Sequence, residues 1–386
     1  MSEFALAADI VFDGSATHRD AAVVIEDADI NALVPTGEVP PGVPLQRMPA
    51  GAWLAPGFVD LQVNGGGNVL FNDDPTPEGI ATIVAAHRRF GTTALLPTLI
   101  TDTAEKMRAA RDAVAAAMET QPSVLGIHFE GPFLAPERAG VHDPALMRAP
   151  TADDLAFLSA PFPGVALVTL APEHAPPGFV AALAKAGVKL ALGHSTATYD
   201  QTRAALDDGL TGFTHLFNAM PPLASREPGP IAAALEAPGA WYGLIVDGAH
   251  VAPAMLRLAL RGLGQPLLVS DAMPPVGGSQ GGFMLQSRQI RVSQGRLLDP
   301  DDRLAGSLLN MASAVRNCVE LLGLPLTEAL SLASAAPAAA LGLGHRFGRL
   351  RPGYRADLVA LDPVTAQARG SWVAGKGGLD SPPVPE

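Results

Sequence analysis

Apolar and polar positions along the chain fall into two kinds of pattern. Near the N-terminus, residues 4–12, 21–26 and 29–33 read as short strands, parted by polar turns such as Asp13-Gly14-Ser15. Five prolines between Val34 and Pro49 suit a linker or an irregular edge. From about Trp53 the pattern changes, and short apolar runs alternate with helical periodicity. Candidate strands are 57–63, 93–99, 124–129, 165–171, 189–194, 211–215, 241–247 and 266–270. Helical segments fall between most of them, at 77–90, 103–120, 178–186, 199–208 and 253–262. Alternating strands and helices predict a parallel sheet, and eight units predict a closed (β/α)8 barrel.

An alternating excursion follows at 274–302, with strands expected at 283–286, 289–292 and 295–298. Met311, Ala314, Val315, Cys318, Val319 and Leu322 then form one helical stripe. A further helix is expected over 327–341, and strand patterns return at 357–361 and 366–373. Strands at both ends therefore predict a small β-sandwich built from both termini. The expected domains are 1–54 and 346–386 for the sandwich, and 55–345 for the barrel with its excursion.

Composition narrows the function classes. The chain has 386 residues, 48% of them hydrophobic and 17% charged, which excludes a disordered polymer. A net charge of −12 argues against nucleic acid and anionic membrane surfaces as partners. The single cysteine, Cys318, forbids an intramolecular disulfide and suits a reducing cytoplasm; its place on the apolar stripe reads as packing. No basic leader pattern opens the sequence, and no uninterrupted apolar run reaches the roughly 18 residues of a membrane span.

In a (β/α)8 barrel the active site lies at the C-terminal ends of the strands. Polar residues stand there in five strands: Glu130, His194, His215, Asp247 with His250, and Asp271. Glu130, His194 and His215 make an O, N, N set, the ligand types of a catalytic divalent ion with one position open. Asp271, from another strand, suits the base that takes a proton from water. His128, two residues before Glu130, points into the barrel at a deeper level and reads as a satisfied core histidine. His18, His87, His174 and His345 lie off the strand tips and read as ordinary. Gly65-Gly66-Gly67 lacks the spacing of a nucleotide loop. Arg226, in the loop after the sixth strand, is either an anion clamp or half of a rim salt bridge with Glu227.

Several runs go further than the residue types alone: His128-Phe129-Glu130-Gly131-Pro132, Leu192-Gly193-His194-Ser195, His215-Leu216-Phe217-Asn218-Ala219-Met220, Arg226-Glu227-Pro228-Gly229, Asp247-Gly248-Ala249-His250, Ser270-Asp271-Ala272 and Leu304-Ala305-Gly306-Ser307. With Pro56-Gly57-Phe58-Val59-Asp60 and the ending 348–358, they resemble the N-acetylglucosamine-6-phosphate deacetylase family of metal-dependent amidohydrolases over nearly the whole chain. The resemblance implies hydrolysis of N-acetylglucosamine 6-phosphate to glucosamine 6-phosphate and acetate. It gives Glu130, His194 and His215 to the metal and Asp271 to acid and base catalysis. It puts substrate contacts at Val141, His142, Asn218, Ala219, Asp247, His250, Leu304, Ala305 and Gly306, with the phosphate near His250 and Arg226. It also implies a homodimer in which Arg226 acts across the interface.

Many amidohydrolases bind a second metal through His-x-His after the first strand. Here those positions are Gln62 and Asn64, which points to one ion per chain. Zn2+ is the first expectation, with Fe2+, Co2+ or Mn2+ as alternatives. Two other functions compete with the leading one: an amidohydrolase for another N-acyl substrate, such as N-acetylgalactosamine 6-phosphate or an N-acyl amino acid, and a non-catalytic sugar-phosphate-binding protein.

Overall fold

The structure is a computed structural model that describes residues 3–379. Met1, Ser2 and residues 380–386, which belong to the expected sandwich segments, lie outside the described residues. The chain forms two compact units. One contains the described parts of Met1–Asp60 and Asn310–Glu386 together with Ala85–Leu95; the other contains Leu61–Val84 and Leu96–Leu309.

The first unit carries strands from both chain ends. Strand Glu3–Phe12 pairs with Thr17–Glu26, which pairs with Asp29–Pro35. Along its other edge it pairs first with Leu45–Arg47 and then with Trp53–Pro56. Trp53–Pro56 pairs in turn with Leu358–Leu361, and Ala368–Val373 and Lys376–Leu379 complete the row. Leu6, Val11, Val23, Ile25, Leu54, Leu358 and Trp372 are packed on one side of this sheet. The proline-rich stretch thus contributes one short strand. The same unit contains helix Met311–Leu322, whose apolar stripe, Cys318 included, is buried except for the half-buried Val319. Burial pushes the Cys318 thiol up to about 12.

The helix expected over 327–341 is two helices, Leu326–Ala333 and Ala335–Ala340, broken at Ser334. Pro337 has no N–H, and its ring opposes a continuous helix through the preceding turn.

The barrel sheet has the eight expected strands in parallel: Phe58–Val63, Thr92–Ile100, Gly126–Glu130, Val165–Leu170, Lys189–Leu192, Gly212–Phe213, Trp241–Leu244 and Gln265–Leu268. It closes through a parallel bridge between Val63 and Ala272, flanked by Asp271 N–H to Gln62 O (3.0 Å) and Asn64 N–H to Ala272 O (2.9 Å). The excursion after the eighth strand is a three-stranded antiparallel sheet, Gly282–Leu285, Arg288–Ser293 and Arg296–Leu298. Among the described residues no helix is long and apolar enough to cross a membrane.

Candidate active site

Five barrel strands deliver polar side chains to one cavity of about 170 Å³. Glu130 ends its strand, whereas His194, His215 and Asp271 stand two or three residues beyond the last paired residue of theirs. Those three have left-handed backbones, with φ of 48°, 31° and 51°. Such torsions are uncommon for residues with a Cβ and turn each side chain off the sheet direction. All four are buried.

Glu130, His194 and His215 converge. His215 Nε2 lies 2.9 Å and His194 Nε2 3.3 Å from Glu130 Oε1, and the two Nε2 atoms are 3.0 Å apart. Burial opposes the Glu130 charge, but the two histidines hold its carboxyl well below the usual range. Burial also opposes charge on His215, and Glu130 outweighs it, raising that imidazole. His194 Nδ1 faces the Arg138 carbonyl at 2.8 Å and donates to it, which leaves Nε2 turned inward. His215 Nδ1 is buried with no hydrogen-bond partner. The loop after His194 is tied down by Glu173, which accepts from Ser195 Oγ (2.8 Å) and from Thr196 N–H and Oγ1.

Gln62 and Asn64 lie behind the carboxylates. Gln62 Nε2 donates to Glu130 Oε1 and to Asp271 Oδ1, each at 3.1 Å, and Asn64 Nδ2 donates to Asp271 Oδ1 at 2.6 Å. Burial and the nearby Glu130 charge push Asp271 up to about 6 in spite of these donors. Beneath the site, His128 lies between Thr98 Oγ1 (3.2 Å) and Thr169 Oγ1 (2.7 Å). Burial pushes it down to about 4, so it is a neutral core residue.

His142 packs against His194, ring centroids 4.4 Å apart. Its Nδ1 accepts from Thr101 N–H at 3.2 Å, so in the neutral ring the proton is on Nε2, 4.0 Å from Glu130 Oε2. Burial, reinforced by His194, holds this imidazole well below its ordinary value and therefore neutral. His250 Nδ1 bonds Asp247 Oδ2 at 2.7 Å, while Asp247 Oδ1 accepts from Ala249 N–H and His250 N–H. Burial alone would raise Asp247, but the His250 contacts lower it.

Of the residues expected from sequence, Val141, His142, Asn218, Ala219, His250, Leu304 and Gly306 line the same cavity as Glu130, His194, His215 and Asp271. Gly306 has φ 65°, and a Cβ there would meet Met273 Cγ at 2.5 Å. Ala305 is turned away into an apolar cluster, and Asp247 acts through His250. Arg226 is exposed and does not line the cavity. Glu227 accepts from Tyr199 N–H, and no ion pair joins it to Arg226 among the described residues. Sequence reasoning missed Ile100, Gly140, Ile245 and Met273 in the lining, and Thr101, Arg138 and Glu173 behind it. Thr101 and Arg138 act through backbone groups, which leave no signal in residue type, and Glu173 acts through its carboxylate on a loop distant in sequence.

Comparison with known proteins agrees with this geometry. The amidohydrolase family matches residues 53–378. The chain is 39% identical to an N-acetylgalactosamine-6-phosphate deacetylase of Shewanella sp. (strain ANA-3), over 97% of this chain and 96% of that one. It is 34% identical to an N-acetylglucosamine-6-phosphate deacetylase of Haemophilus influenzae, covering 93% and 94% of the two chains. The crystal structure of N-acetylglucosamine-6-phosphate deacetylase from Pasteurella multocida superposes with a TM-score of 0.94 at 31% identity, covering 98% of this chain and 100% of that one.

Proposed function

The chain belongs to the amidohydrolase family, and from that premise we propose that it hydrolyses the acetamide of N-acetylglucosamine 6-phosphate, giving glucosamine 6-phosphate and acetate. The observation that carries this reading is the meeting of Glu130, His194, His215 and Asp271 in one buried cavity. Three ligand atoms of the first three residues lie within 4.8 Å of one another. Two imidazole nitrogens turned on each other and on a carboxylate oxygen suit a cation between them. Glu130, His194 and His215 would hold one divalent ion, with zinc the first choice. Such an ion, when bound, polarises an acyl oxygen and lowers the pKa of water to about 7. Gln62 and Asn64 fill the neighbouring space with amide donors, which favours one ion over two.

Asp271 takes the proton of the attacking water and returns it to the departing nitrogen, one carboxylate serving both steps. His142 offers Nε2–H to the acyl oxygen. His250, held by Asp247, faces the sugar. Arg226 binds the phosphate; its exposure away from the cavity of its own chain suits action across a homodimer. The single cysteine and the phosphorylated substrate suit the cytoplasm.

A second reading, the galacto epimer as substrate, is favoured by the name of the Shewanella relative. Acetate release from N-acetylglucosamine and N-acetylgalactosamine, each with and without 6-phosphate, separates the readings. The gluco 6-phosphate should give the highest kcat/KM. Arg226→Ala should weaken turnover of the phosphorylated sugar strongly and that of the free sugar little; equal losses would sink the clamp. No acetate from any of the four would overturn the deacetylase reading.

A further inference from the structure

Nothing in the proposed reaction uses the excursion after the eighth barrel strand. Its Phe283, Leu285, Ile290 and Leu297 pack with Ile100, Val141 and Met273, residues of the cavity wall. Its first turn is unusual. Gln286 and Ser287 both have positive φ, 45° and 71°, as in a two-residue hairpin turn that ordinarily selects Asn-Gly. Residues with a Cβ adopt that turn at a cost.

The turn sends two polar side chains inward. Gln286 Nε2 donates to the Thr101 carbonyl at 2.6 Å, and Arg288 Nη2 donates to the Val141 carbonyl. These carbonyls belong to the two backbone segments that hold His142. Thr101 supplies the N–H that fixes the ring at Nδ1, and Val141 precedes the histidine in the chain. The two segments follow different barrel strands, Thr92–Ile100 and Gly126–Glu130, and one hairpin grips both.

We propose that Gln286 and Arg288 are positioning residues for His142, gripping Thr101 and Val141 so that Nε2–H stays aimed into the cavity at the acyl oxygen. The acyl oxygen rests on the deacetylase reading; the grip on the ring does not. Without the two donors, Thr101 and Val141 shift independently and the ring loses its aim while keeping its place in the wall.

The test uses Gln286→Leu and Arg288→Met, singly and together, in the metal-loaded full chain. The double variant should lose roughly 10- to 100-fold in kcat, the usual effect of a misplaced group. KM should change less than about threefold, and metal content should stay the same. In a His142→Asn background the same pair should cost nothing more, because the ring they position is gone. Arg288→Lys, which keeps a donor, should recover most of the Arg288→Met loss. Wild-type kcat in the double variant, or an equal loss in the His142→Asn background, overturns the proposal. A second readout is independent of turnover. In chain labelled with 15N at histidine side chains, His142 should show a bare Nδ1 and a protonated Nε2, and the double variant should average the two. If wild type releases no acetate, the deacetylase reading falls and the NMR spectrum decides alone; unchanged His142 signals overturn the grip.

Discussion

Gln62→Met asks whether one amide keeps two buried carboxylates in adjacent places. Gln62 Nε2 is 3.1 Å from both Glu130 Oε1 and Asp271 Oδ1. Methionine matches glutamine in length and flexibility but has no donor. Two hydrogen bonds to charged acceptors, each worth about 1.5–3 kcal/mol, are lost. A less costly relaxation exists. Asp271 titrates at about 6, because burial and Glu130 both oppose its charge, so a proton can replace the missing donor. At pH 7.5 that protonation costs about 2 kcal/mol, one and a half pH units at about 1.4 kcal/mol each. Metal-free Gln62→Met should therefore lose no more than about 2 kcal/mol at pH 7.5 and only a few tenths near pH 6. The sign follows from proton counting. A carboxyl raised in the folded state binds more protons than in the unfolded one between 3.8 and about 6, so stability falls as pH rises through that window. The substitution raises Asp271 further and deepens the fall. Urea unfolding of chelator-treated wild type and variant at the two pH values measures it. Equal losses at both, or a loss of about 4 kcal/mol or more at pH 7.5, would show that Asp271 provides no such relief.

Other consequences follow from the same geometry. Asp271→Asn can keep its acceptor toward Asn64 and Gln62, so metal content should stay near wild type while kcat falls by roughly 10²–10⁴; near-normal kcat would remove its assigned role. His194→Ala should lower bound metal from about one equivalent to near none, read by elemental analysis of the purified protein, and with it the thermal stabilisation that added metal gives. In the other unit, Asp13 accepts from Ser15 N–H and Ala16 N–H and pairs with His18; burial raises it, but these contacts win and lower it to about 2. Its contribution is present above about pH 4 and lost as pH falls through about 2, so the stability gap between wild type and Asp13→Asn should narrow over that window and stay flat above it.

The barrel was legible because parallel strands buried on both faces read as plain apolar runs. All eight lie where the pattern puts them. Five of the eight expected strands overrun at their C-terminal ends, and the overrun is informative. Those expected at 189–194 and 211–215 stop at Leu192 and Phe213, where Gly193 and Thr214 lead into the left-handed His194 and His215. Apolar pattern cannot report a backbone torsion. Helices Ala152–Ser159 and Gly229–Glu236 lie outside the expected helical segments. The ligand set was legible because polar residues are out of place at barrel strand tips. Thr101, Glu173, Gln286 and Arg288 were not, because their partners are side chains and carbonyls of loops far away in sequence.

The left-handed torsions at His194, His215 and Asp271 bear on how such a chain can decay. Each costs of order 1–2 kcal/mol for a residue with a Cβ, and glycine at the same place would escape it. Selection for turnover keeps these three strained residues at the strand tips. A descendant freed from that selection would gain robustness by replacing Asp271 with glycine, which sheds both the torsion and the like charge beside Glu130, whereas His194 and His215 hold the buried Glu130 charge and could follow only after it had gone. The relics of this enzyme would then be sturdier than the enzyme, carrying an intact barrel and a glycine where Asp271 stands.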